Sequence, residues 1–156
     1  MGLWERLIGS GPAEENDGRR VLPELLASYG EEVRLAQQIR EHADRAPHQA
    51  GAQGLRAVAE EQDRLAQLLH DEIVALGGEI SDQVAPTREG KNHWARVVRD
   101  LEENQALGRH YNEQAIYWDP DLPAVVTLYR TLEKGKNRTN TLLRDIALRA
   151  DPHALD

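Results

Sequence analysis

Four stretches of this chain repeat apolar residues at the spacing of an α-helix, and each ends at a proline or glycine break. The first runs from about Val21 to Asp44, with Pro23 where a first helical turn tolerates a missing N–H. Its stripe is Leu22, Leu25, Leu26, Tyr29, Val33, Ala36, Ile39 and Ala43. The second, from about His48 to Leu76, carries Leu55, Val58, Leu65, Leu69, Ile73 and Leu76 and stops at Gly77-Gly78. A third, from about Glu89 to Trp118, aligns Trp94, Val97, Val98, Leu101, Gln105, Gly108, Asn112, Ala115 and Ile116. The fourth opens at Asp119-Pro120 and reaches about Ala150, with Leu122, Val125, Tyr129, Leu132, Lys136, Thr139, Leu143, Ile146 and Ala147 on one face. No stretch alternates polar and apolar residues for long enough to read as a strand. Helices of this length, roughly 36 to 45 Å at 1.5 Å per residue, bury their stripes in a bundle. An all-α fold follows.

The connections constrain the topology. Ala46-Pro47 and Asp119-Pro120 are short joins, so each flanking pair of helices is expected to form an antiparallel hairpin. The join between the hairpins, about Gly77 to Arg88, is longer, and at roughly 3.3 Å per residue its dozen residues reach about 40 Å. That is enough for a crossover along the whole bundle. Composition reads residues 1–20 as a short apolar segment (Trp4, Leu7, Ile8) and a Gly/Pro-rich linker. Residues 21–150 form the bundle, and 151–156 a tail. The apolar segment is expected to dock on the chain's own bundle, on a partner or on a membrane surface. A chain of 156 residues suffices for one such domain.

Composition then removes several functions. A net charge of -8 opposes binding to a phosphate backbone, so nucleic acid is a poor partner. No cysteine is present, which excludes disulfides and thiolate chemistry and fits a reducing, cytoplasmic setting. No apolar run approaches the roughly 20 residues needed to cross a bilayer. Serine is confined to Ser10, Ser28 and Ser81 without a nucleophile elbow. The histidines (His42, His48, His70, His93, His110, His153) form no His-x-x-x-His or Glu-x-x-His pair and read as surface or loop residues.

The stripes turn polar near their middles. Glu32 sits at the inner edge of the first helix, and Glu61 and Gln62 flank the stripe of the second. Gln105 and Asn112 fall inside the third stripe, Lys136 and Asn140 inside the fourth, with Glu133 at its edge. Buried charges must pair, reach water or bind something. Lys136, in mid-stripe, is the least ordinary of them.

The run from Glu60 through Glu61-Gln62-Asp63-Arg64-Leu65 to Gly77-Gly78 resembles the second helix of ferritin-like proteins, including small bacterial members. Two hairpins across a long connection are similar to that superfamily over about residues 21–150. In its active members each hairpin supplies a Glu from one helix and a Glu-x-x-His from the next, which together grip a di-iron centre. This chain departs from the pattern. Helix two offers Glu61-Gln62-Asp63-Arg64 or, one residue on, Gln62-x-x-Leu65, and helix four offers Glu133-Lys134-Gly135-Lys136. A shift of 72 residues places Glu31 on Glu103, Glu61 on Glu133 and Arg64 on Lys136. Cations therefore stand where ligands are expected, and cation–carboxylate pairs are expected to replace the metal.

Two functional readings follow. The first is a non-catalytic bundle that has lost its metal and serves as an interaction or structural protein, with Arg64, Lys136, Gln105 and Asn140 as polar substitutes in the core. In the second, carboxylates drawn from Glu32, Glu61, Glu102 and Glu133 hold iron without histidine, for iron handling or oxidative-stress response. They part on whether Arg64 and Lys136 occupy the centre. A small-molecule pocket of Gln105, Asn112, Tyr129 and Asn140 is a third option. Leu35, Leu107, Tyr111 and Trp118 lie outside the main stripes, and as an outer apolar strip they recommend a homodimer or another protein partner.

Overall fold

The computed structural model describes residues 12–156, with side chains from residue 18 onward. The Trp4/Leu7/Ile8 segment lies outside the described residues. Four helices and no strand are found among the described residues, consistent with a four-helix bundle: α1 (Pro12–Asp44), α2 (Gln49–Ala75), α3 (His93–Trp118) and α4 (Pro123–Arg149).

Helix α1 begins nine residues before the expected Val21, so much of the presumed linker is helical. Proline at the first position suits a helix start, because that N–H has no intrahelical partner. Among the described side chains, Gly18 and Arg20 tie the added turns to the rest of the chain. Gly18 lies against Leu76, and the Arg20 guanidinium stacks 5.5 Å from the Trp118 ring centroid while donating to the Tyr117 hydroxyl. Pro23 then falls inside the helix, on its exposed side. Helix α2 ends in a tight reversal at Gly77, whose φ of 81° favours a residue without Cβ, and Gly78 N–H donates to Ile73 O at 2.8 Å. At the start of α3, Asn92 Oδ1 accepts from Ala95 N–H at 2.8 Å, a side-chain cap. The Asn92 amide also donates to the carbonyls of Pro152 and Ala154, while Asp156 pairs with the fully buried Arg96. The tail therefore folds back onto this end of α3.

Helix α1 packs most extensively on α2, and α3 on α4; α1 also packs on α3, and α2 on α4. Cross-helix pairs set the register. Along α1 and α2, Tyr29 meets His70, Arg40 meets Asp63 and Asp44 meets Arg56. Between α1 and α3 the pairs are Glu24 with His110, Arg34 with Glu103 and Gln38 with Asp100. Asn104 meets Asn140 and Asn112 meets Arg130 across α3 and α4, while Gly54 meets Ile146 and Glu61 meets Arg138 across α2 and α4. The segment between α2 and α3 runs beside α1. Gly78 lies against Leu22, Thr87 donates to Glu41, and Arg88 N–H donates to Gln38. Leu22 to Glu41 is about 28 Å of helix. Nine residues cover that only when nearly extended, at about 3.3 Å each.

The core is split. One apolar cluster gathers Val21, Leu25, Leu65, Leu69, Ile73, Tyr111, Ala115, Trp118, Val125, Tyr129 and Leu132. The other gathers Leu35, Ile39, Ala43, Leu55, Val58, Ala59, Val97 and Leu143. On every helix a buried polar residue separates them: Glu32, Gln62, Asn104 and Lys136. The outer strip expected from the sequence is not on the surface. Leu35, Tyr111 and Trp118 are buried within the chain's own core, and Leu107 packs against it. A helix that contacts two neighbours buries a wider arc than one stripe, so these residues offer no outer apolar face to a second copy.

Close approach of α2 and α4 depends on Gly135, because a Cβ there would stand 2.6 Å from Leu65 Cδ2. Replacing glycine by alanine in an open helix interior gains about 1 kcal/mol. Here overpacking, at about 1–3 kcal/mol, outweighs that gain. Chemical denaturation of Gly135→Ala is expected to show lower stability than the parent, and higher stability would mean that the helices separate freely at this point.

Candidate functional site

The polar layer between the clusters centres on Lys136, which is completely buried. Its ammonium donates to Glu32 Oε2 of α1 at 2.5 Å, Gln62 Oε1 of α2 at 2.9 Å and Asn104 Oδ1 of α3 at 3.0 Å. Three acceptors meet three N–H bonds, the complement that an ammonium offers and a neutral amine does not. The remaining Glu32 oxygen accepts from the Tyr111 hydroxyl at 2.7 Å. Asn104 donates onward to Thr139 Oγ1 at 2.8 Å and Asn140 Oδ1 at 2.7 Å, and Gln62 donates back to Asn104 Oδ1 at 2.6 Å. Every helix contributes to this cage. Burial pushes the Lys136 pKa below the usual lysine range, opposed by Glu32 beside it. Burial likewise raises the Tyr111 hydroxyl well above its ordinary value, reinforced by the Glu32 charge.

A second buried polar network lies between α1, α3 and the extended segment. Arg34 bridges Glu31 at 2.7 Å and Glu103 at 3.1 Å, and Gln38 donates to Asp100 and Glu103. His42 has Nδ1 2.6 Å from Asp100 Oδ2 and Nε2 3.1 Å from the Arg88 carbonyl. A carbonyl only accepts, so Nε2 carries hydrogen and one further proton lies between Nδ1 and the carboxyl. Burial pushes the Asp100 carboxyl up, with the bond to His42 working against it. Arg88 closes the network through Glu103 at 2.8 Å.

The sequence-predicted residues divide. Lys136 and Glu32 meet at the centre. Arg64 does not join them; its half-exposed guanidinium pairs with Glu61 one turn away on its own helix. The cause is angular, since Arg64 is two residues from Gln62 and so lies roughly 200° around α2 from the cage. Glu61 turns outward to Arg64 and Arg138, Glu133 to Arg130, and Glu102 is exposed. Gln105 is not in the core either. It shares an open groove between α3 and α4 with Asn112 and Asn140, while Tyr129, assigned to the same pocket, is fully buried elsewhere. Asn140 reaches the cage only through Asn104. His42, read as a surface residue, is buried. The sequence reading missed the role of Asn104. The repeat shift of 72 that aligns Glu31 with Glu103 also sets Glu32 on Asn104, one residue inward, and was the available signal.

These side chains do not fit a di-iron pair. Where the ferritin-like pattern asks for four carboxylates and two histidines, the centre holds one carboxylate, two carboxamides and a cation. No group of three or more His, Asp or Glu side chains suited to a metal ion occurs among the described residues. No protein-family model and no curated protein matches the chain.

Two measurements test the electrostatics. Lys136→Met leaves Glu32 buried without its counter-charge and is expected to cost about 3–5 kcal/mol in chemical denaturation. The paired Glu32→Gln/Lys136→Met variant removes both charges and is expected to regain most of that loss. Glu61, bonded by Arg64 and by Arg138, has its pKa lowered to about 2 despite some burial. A depressed carboxyl stabilises the fold above its unfolded value, about 4.3, and that contribution disappears as pH falls through about 2. Carboxyl NMR titration should place the Glu61 midpoint near 2 and move it upward in Arg64→Ala.

Proposed function

We propose that this chain is a ferritin-like four-helix bundle whose metal centre is replaced by the Lys136 ammonium, and that it acts as a non-catalytic interaction or structural protein. The observation that carries the reading is the triple hydrogen bonding of Lys136 to Glu32, Gln62 and Asn104, one from each other helix. A fixed cation there repels a metal ion and occupies the oxygens that would ligate it. Lysine also does what the lost ion did, holding a carboxylate and two carboxamides from different helices at one point. The topology is inferred from register. On each packed pair the residue numbers rise on one helix as they fall on the other, which supports antiparallel neighbours. The extended residues beside α1 support a crossover between the two hairpins. No helix among the described residues is long and apolar enough to cross a membrane, and the cysteine-free composition fits a cytoplasmic setting.

Anaerobic Fe(II) loading of the chelator-treated protein is the test, with bound metal per chain and oxygen consumption both recorded. Binding no greater than to an unrelated helical protein is expected. About two irons per chain with turnover of oxygen would favour the carboxylate-based reading and overturn this one.

A further inference from the structure

The groove between α3 and α4 lies just outside the Lys136 cage, with a volume of about 410 Å³, and is lined by Gln105, Arg109, Asn112, Glu133, Asn137 and Asn140. Asparagine weakens a helix interior because its side chain competes for backbone hydrogen bonds. Three of the chain's six asparagines nevertheless stand in mid-helix here, facing one groove, which argues for a task other than helix formation.

Their polarity is set from within. An ammonium can only donate, so Lys136 fixes the Asn104 oxygen toward itself and turns the Asn104 amide outward. That amide claims the oxygen of Asn140 at 2.7 Å and leaves the Asn140 NH₂ for the groove. Arg130, likewise a pure donor, takes the oxygen of Asn112 at 2.7 Å and leaves its NH₂ free in the same way. Gln105 and Arg109 have no hydrogen-bond or ion-pair partner among the described residues. Asn112, Asn140 and Arg109 therefore direct donors into the groove, beside the carboxamides of Gln105 and Asn137, which offer donor and acceptor alike.

We propose that this groove binds an extended segment of a partner polypeptide through its main-chain carbonyl oxygens. The lining has no aromatic ring on which a sugar or base would stack. Glu133, bonded to Arg130, opposes a free carboxylate. Asn140 stands opposite Asn104, about 12 Å along α3 from Asn112. About four residues of extended chain, at roughly 3.3 Å each, span that distance and bring uncharged acceptors to both ends. The inference deepens the interaction role proposed above and rests on Lys136, not a metal, holding the centre.

The test is a side-chain amide NMR titration of the full chain with a capped, uncharged eight-residue Ala-Ser peptide, with acetate and glucose in parallel. Saturable shifts of the Asn112 and Asn140 NH₂ signals with the peptide alone are expected. Asn140→Asp and Asn112→Asp each keep the inward acceptor but replace the outward donor, and each should weaken binding at least tenfold while retaining the parent thermal melt. No saturable shift with the peptide, comparable shifts from acetate or glucose, or undiminished binding by both variants overturns the proposal. Iron loading reads the centre separately, so an iron-free centre with a silent groove sinks the groove alone.

Discussion

One fully buried charged pair, Lys136 with Glu32, sets conditions that the rest of the structure meets. Removing two ions from water costs several kcal/mol each, and their mutual attraction repays this only when every remaining hydrogen-bonding position is filled. Gln62, Asn104 and Tyr111 fill them, from the two helices that do not carry the pair. Each of those groups then needs partners of its own, which Asn104 finds in Thr139 and Asn140. The chain of obligation runs from the middle of α1 to the surface of α4.

The four helices and their joins were readable because apolar periodicity and Pro/Gly punctuation are local signals. Lys136 was readable because a lysine in mid-stripe has no inexpensive explanation. The remaining site was less legible. A helical wheel gives an angle about one axis and does not say where the neighbouring helices stand. Helix α1 faces both α2 and α3, so Leu35, Gln38 and His42, off its main stripe, are buried. Tyr111 was read as an outer apolar residue for the same reason, although its hydroxyl completes Glu32. Arg64 was misplaced because the shift of 72 that sets Glu32 on Asn104 is two residues short between α2 and α4, where Gln62 is the inward counterpart of Lys136. The start of α1 escaped because Gly18 and Arg20 are held by Leu76 and Trp118, which are distant in sequence.

The second network ties the extended segment to the helices in a different manner. Arg88 engages α1 and α3 with its N–H, its carbonyl and its guanidinium, all on partly or fully buried partners. An extended stretch of chain has no hydrogen bonds of its own, and backbone groups near a protein surface must find them elsewhere. Gln38 and His42 provide them from a helix whose own backbone is already satisfied. Arg88 therefore fixes where the segment comes to rest before α3 begins.

Two greasy halves separated by a polar waist have a consequence for how the helices find their alignment. Leucine, isoleucine and valine are interchangeable enough that a helix sliding by one turn past its neighbours would still bury apolar surface at both ends. The waist forbids the slip, since such a shift leaves Glu32 facing hydrocarbon and the ammonium without its three oxygens. Like a key in a tumbler lock, the layer rewards one setting of four rods and penalises its near neighbours. A metal ion does the same by coordination, whereas here the setting is written into the covalent chain and persists whatever ions the surroundings supply.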